Sequence, residues 1–200
     1  MSNYDNHIIG IFQDDIETVK EFLKIAINTI FFHRWINNNN YICETSLIKD
    51  ISYMKIEDND LQKDIDNLLN NITTYYSKSY QKFQIDLDFY TKNQGFLLGL
   101  FQKKESCWEK WNILIKIVEE GSKDKGTKLR NFLSMILKQL NTDKDFMPEI
   151  NLDNFEDMDV NNKKENKNNF NFPYEIKLNK EFEQESFIKL FKKRAFDTAE

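Results

Sequence analysis

Glycine and proline are scarce in this chain of 200 residues, which holds five of the first and two of the second. So few glycines leave little material for the loops that cradle phosphate groups. Cysteine is equally rare: Cys43 and Cys107 cannot build a disulfide framework, and both are expected to be free thiols in a reducing cytoplasm. The opening Met-Ser-Asn-Tyr-Asp-Asn-His lacks a basic segment leading into an apolar run, so no secretory signal is expected. Long apolar runs are missing too. The greasiest stretch, Ile25 to Ile36, is broken by Asn28, Thr29, His33 and Arg34, well short of the roughly 20 apolar residues of a membrane-spanning helix. Nor is there an excess of positive charge. With 28 Lys and Arg against 33 Asp and Glu, the net charge of −5 argues against a nucleic-acid partner, which is held by clustered cations. Lys189, Lys192, Lys193 and Arg194 form the one basic cluster and read as a solvated face.

What the chain does have is alternation. Phe83, Ile85, Leu87 and Phe89 interleave with Gln84, Asp86 and Asp88, the period-two pattern of a strand with one buried face. Trp111, Ile113, Ile115 and Ile117 repeat it, with Leu114 and Val118 implying that the second face is partly covered. Between these arms lies Gly95-Phe96-Leu97-Leu98-Gly99-Leu100-Phe101, collared by Lys92, Lys103, Lys104 and Glu105. Connecting loops are normally polar, so an apolar tip is either folded into the protein's own core or offered to a partner.

The remaining elements follow in order. His7 to Phe12 suits a short strand, and Asp14 and Asp15 punctuate it. Ile16, Val19, Leu23, Ala26, Ile27 and Ile30 then trace a helix running to about Arg34, capped by an aspartate. Phe22, Ile25, Phe31 and Phe32 widen its apolar stripe, which predicts a central helix packed on a sheet. After four asparagines, Tyr41 to Ile48 and Ile51 to Glu57 read as a hairpin around Lys49-Asp50. Asp58 or Asp60 caps a second helix through Leu61, Ile65, Leu68 and Ile72, ending near Ser79. Gly121 and Gly126 close the paired arms, and a third helix carries Leu129, Phe132, Leu133, Ile136 and Leu140. Residues 151–171, acidic and then rich in Asn and Lys, read as a flexible connector. C-terminal strands are expected within 172–196, the first led by Pro173. The sum is a single α+β domain, three main helices on a largely antiparallel sheet.

Catalytic chemistry finds little support. No nucleophile elbow or Cys-His signature is present, and His33, Cys43 and Cys107 have no zinc spacing, so neither metal nor cofactor is expected. His7 and His33 are expected at the surface or capping a helix. Asp86 and Asp88 read as acids on a strand's outer face. Trp108-Glu109-Lys110-Trp111 reads as two tryptophans anchored in the core and a glutamate turned to water or to a backbone donor. An enzyme would need a pocket gathering Asp86, Asp88 or Glu109.

Several short motifs then fall in a telling order. A first helix ends in Phe32-His33-Arg34, a strand ends in Leu87-Asp88-Phe89-Tyr90, Trp108-Glu109-Lys110-Trp111 opens the next, Met147-Pro148 follows the third helix, and Pro173-Tyr174 opens the strand after the connector. In this order the chain resembles the HORMA-domain proteins, and among them the autophagy-related protein 101 family. The resemblance implies a HORMA-like fold with a protruding apolar hairpin loop, in which His33, Arg34, Trp108, Glu109, Trp111, Pro173 and Tyr174 are structural motif residues. It further implies a non-enzymatic, cytoplasmic subunit of the autophagy-initiating kinase complex, paired HORMA to HORMA with the autophagy-related protein thirteen scaffold. Such a subunit is recruited to sites of autophagosome formation and gathers downstream factors through an exposed finger. The family finger carries a tryptophan and a phenylalanine two positions apart. This tip has no tryptophan and offers Phe96, Leu97, Leu98, Leu100 and Phe101, of which Phe101 matches the family phenylalanine. The runner-up is a checkpoint-like HORMA adaptor that binds a peptide.

Overall fold

A computed structural model describes residues 5–34, 41–48, 50–97, 100–142 and 173–180. Strand β1 (Asp5–Asp14) leads into helix α1 (Ile16–Arg34), whose first turn is capped by the Asp15 side chain accepting from the Thr18 amide at 3.0 Å. Strands β2 (Tyr41–Thr45) and β3 (Ser52–Ile56) form the expected hairpin, shorter than its apolar pattern and standing as a separate two-stranded sheet. Helix α2 (Asn59–Tyr76) starts at Asp58, which accepts from the Leu61 amide at 2.8 Å. The long strands β4 (Lys82–Leu97) and β5 (Leu100–Ile117), helix α3 (Lys125–Thr142) and strand β6 (Tyr174–Lys180) complete the order. Met147-Pro148, the connector over 151–171 and the last expected strand lie outside the described residues.

The main sheet runs β1-β5-β4-β6. It is mixed: β4 pairs antiparallel with β5 and with β6, while β1 lies parallel to β5. Alternation reveals which residues share a face but is blind to strand direction. Direction follows from connectivity: the chain leaves β1 through α1 and returns to β1's flank as β5 only after β2, β3, α2 and β4, a crossover that permits a parallel neighbour.

Helix α1 is the centre of the packing, as its wide stripe predicts. Phe22, Leu23, Ile25, Ala26, Ile27, Ile30 and Phe31 are fully buried, and the helix touches β3, α2, α3, β1 and β5. Beneath it the sheet contributes Phe83, Ile85, Leu87 and Phe89 from β4 and Trp111, Ile113, Ile115 and Ile117 from β5, so both alternating arms present the faces their sequence assigns. Phe12, Phe22 and Phe132 stack and edge together at 4.0 to 5.7 Å between ring centroids, joining β1, α1 and α3. At the same end of β1, Asp14 accepts from the Ser122 amide at 2.9 Å. A side chain on Gly121 would collide with the carboxylates of Asp14 and Asp15, so this position demands glycine. Gly126 instead lies in the first turn of α3.

The other face of the sheet is not the solvated one expected from its polar residues. Asp86 and Asp88 are buried. Asp86 accepts from Asn112 at 2.6 Å, Gln84 at 2.7 Å and Asn179 at 2.8 Å. Asp88 meets Lys110 at 3.4 Å and Lys177 at 3.2 Å. Neighbouring side chains on β5 and β6 cover the two acids while satisfying them, which is the condition for burying a carboxylate.

Candidate functional site

The long hairpin changes character at one level. Up to that level four strands run abreast, with Asp5 of β1 beside Glu109 of β5, Glu109 beside Phe89 of β4, and Phe89 beside Tyr174 of β6. Beyond it, among the described residues, β4 and β5 pair only with each other. The ladder continues through Tyr90↔Cys107 and Thr91↔Ser106 to Phe96↔Phe101 and Leu97↔Leu100. The stretch expected as an apolar loop is therefore the end of a two-stranded ribbon. Leu98 lies outside the described residues. From Phe89, at the last four-stranded level among the described residues, to Leu97, at about 3.4 Å per residue, the ribbon is roughly 27 Å long. A register shift sits where it begins, between Phe89 and Tyr90.

At the last four-stranded level sits a buried ionic cluster. Arg34, at the C-terminal end of α1, donates through Nε to Glu109 Oε2 at 2.7 Å and through Nη2 to Oε1 at 2.6 Å, a bidentate fork. His7 of β1 approaches Glu109 Oε1 to 3.2 Å through Nε2 and stacks on the Trp111 ring at 4.2 Å. Glu109 is 1% exposed, His7 3% and Arg34 4%. Burial by itself would raise the Glu109 carboxyl, but hydrogen bonds from His7 and Arg34 and their charges prevail and hold it below the usual range. Two expectations are corrected here. His7 is neither at the surface nor a cap, and Glu109 faces neither water nor a backbone donor. Strand alternation turns Glu109 to the same face as Trp111, so the acid had to enter the core and needed a cation there.

Aromatic rings wrap this level. Phe31 packs against Phe89 at 5.0 Å and edge-on against Tyr174 at 4.9 Å, and Phe89 meets Trp108 at 5.9 Å. The Tyr174 hydroxyl donates to Asp64 of α2 at 3.1 Å; burial, then nearby carboxylates, push its phenol well above the usual range. The Pro173 carbonyl accepts from the Tyr90 amide at 2.9 Å, at the base of the ribbon. Of the motif residues, Arg34, Trp108, Glu109, Trp111, Pro173 and Tyr174 thus converge on the hairpin root. His33 does not: it is exposed, with Nδ1 2.8 Å from the Thr29 carbonyl oxygen.

A family model described as autophagy-related protein 101 matches residues 12–154, most of the chain. The chain belongs to the autophagy-related protein 101 family. The match takes in Arg34, Glu109, Trp111, the whole ribbon and α3, while His7, Pro173 and Tyr174 fall outside it. A comparison with curated proteins finds no match. As an autophagy-related protein 101 chain it has, among its described residues, no helix long and apolar enough to cross a membrane and no group of three or more His, Cys, Asp or Glu placed to hold a metal ion. A groove of about 490 Å³ is lined by Glu17, Glu21, Leu47, Lys125 and Arg130 among others, and one of about 320 Å³ by Asp64, Asn67, Asn71, Tyr174 and Glu175 among others. Neither gathers Asp86, Asp88 or Glu109, the acids an enzymatic reading would need.

Proposed function

We propose that this autophagy-related protein 101 chain is a non-catalytic, cytoplasmic adaptor subunit of the autophagy-initiating kinase complex. It pairs through its HORMA-like body with the HORMA domain of the autophagy-related protein thirteen scaffold, and it recruits downstream factors to autophagosome formation sites through the ribbon end. The observation that carries the reading is the ladder that outruns the sheet and finishes on the register pairs Phe96↔Phe101 and Leu97↔Leu100. In sequence all four of these residues are apolar. Soluble proteins keep such apolar sites for partners, and a few apolar anchors inside a polar rim suffice for a hot spot. In the sequence Lys92, Lys103, Lys104 and Glu105 flank the apolar run, which would give such a rim.

The test is affinity capture from cells with the intact chain and with Phe96→Ser plus Phe101→Ser. The scaffold subunit should copurify with both and downstream factors with the intact chain alone. An unfolded variant would place the two rings in the core instead. A second reading, a HORMA adaptor that takes an extended peptide, is favoured by β6. That strand is an edge of the main sheet among the described residues, and the groove of about 320 Å³ runs between it and α2.

A further inference from the structure

We infer that the Arg34–Glu109–His7 cluster is the fulcrum that fixes the direction of the ribbon, with Glu109 and Arg34 as positioning residues for whatever the ribbon end binds. The inference rests on the adaptor reading only for what the aim is for; the mechanical claim stands on geometry.

Among the described residues, Glu109 occupies the last register level at which all four strands are paired. One residue pair further, the ladder shifts register and continues, among the described residues, as two strands. A ribbon of two strands is held in inclination mainly at its root, and a register shift is a natural place for it to bend. Over a lever of roughly 27 Å, a tilt of about 10° at the root moves the end by about 5 Å, enough to misplace an apolar anchor. Something at the root must therefore resist tilting.

Hydrophobic contact alone does this poorly, because it is non-directional. The bidentate fork is directional. It fixes the plane of the Glu109 carboxylate against the end of α1, and His7 of β1 lies 3.2 Å from Oε1, so the strand carrying the ribbon is held by α1 and touched by β1 at one point. His7 is in turn seated on Trp111, two residues along β5. The cluster touches no groove described above and is closed to solvent, which leaves holding as its work.

The experiment measures direction separately from stability. With Cys107→Ser and Lys104→Cys, spin labels on Cys43, which is exposed on β2, and on position 104 report the distance between body and ribbon by pulsed electron resonance. Glu109→Gln removes the charge. Arg34→Lys keeps the charge but loses the fork, and serves if the first variant does not fold. Leu140→Ala in α3 is a control that loosens the core away from the root. Each variant is measured at a temperature where circular dichroism shows it folded.

The expected result is a distance distribution about twofold broader for Glu109→Gln and Arg34→Lys, with Leu140→Ala unchanged, since the planar fork supplies an orientation that a point charge does not. Unbroadened distributions in both root variants would overturn the inference, as would equal broadening in the control. Capture of downstream factors by the Phe96→Ser, Phe101→Ser variant separates the two claims. If that capture persists while the root variants broaden, the ribbon is aimed by the cluster but does not recruit through its end.

Discussion

The two halves of the long hairpin are built from the same strands yet held by different physics. In the root, Phe83 to Phe89 and Glu109 to Ile117 lie within a four-stranded sheet, under α1, with Trp111, Phe83 and Phe89 closed to solvent and a bidentate ion pair at the upper limit. In the extension, from Tyr90 and Cys107 outward, β4 and β5 pair only with each other among the described residues, helped near the base by Thr91 Oγ1 and Ser106 Oγ at 2.7 Å and by Tyr90 donating to Glu175 at 3.2 Å. An isolated two-stranded hairpin is marginal in water. The backbone pairing of the extension therefore depends on the root from which it continues.

Substitutions can break that contrast at graded strength. Trp111→Ala empties a fully buried site between β1 and β4 and should cost about 3–5 kcal/mol in chemical denaturation, a large part of a domain's stability. Glu109→Gln leaves Arg34 buried without its counter-charge and should cost about 3 kcal/mol. The same variant sharpens the comparison through pH. Because the folded carboxyl is held below its ordinary value of 4.5, the unfolded chain binds the proton more readily. Glu109 thus contributes stability that is fully present above that value and lost as pH falls through the folded one. Unfolding midpoints at pH 7 and pH 4 should differ less in Glu109→Gln than in the parent; an equal difference would mean the carboxyl does not feel its cations.

Tyr174→Phe keeps the ring against Phe31 but deletes the bond to Asp64, and about 1 kcal/mol should be lost. Smallest of all, Phe96→Ser with Phe101→Ser should shift folding free energy by no more than about 0.5 kcal/mol. A shift comparable to that of Trp111→Ala would erase the distinction between root and extension.

Much of the root was legible in the sequence because alternation and helical spacing are direct consequences of geometry. The buried faces of β4 and β5, the caps at Asp15 and Asp58, and the central position of α1 all follow from residue type and spacing. The direction of β1 does not, since side-chain period carries no sign. The burial of Asp86 and Asp88 was equally hidden: a polar face reads as solvated unless one knows that Asn112, Lys110, Lys177 and Asn179 arrive from β5 and β6 to cover it. Arg34 and Glu109 were each visible as parts of separate motifs. Their pairing across 75 positions was not, and the one available clue was that Glu109 shares strand parity with Trp111 and so had to face the core. His7 gave no such clue, because the parity of a short strand of unknown register does not show which face is inward.

The parallel seam between β1 and β5 has a kinetic consequence. The hairpin of β4 and β5 joins chain neighbours and can zip from its turn, whereas Ile9 must find Ile113 after most of the described chain has been made. Contacts between distant segments pay loop-closure entropy first, so β1 is expected to dock late, and pulsed hydrogen exchange should protect the Ile113 amide region on its β4 side before the amides of Ile8 and Ile9. A newly synthesised chain would then possess a paired β4–β5 hairpin before it possesses a complete sheet, and the completion of the fold would be timed by the docking of its own first strand.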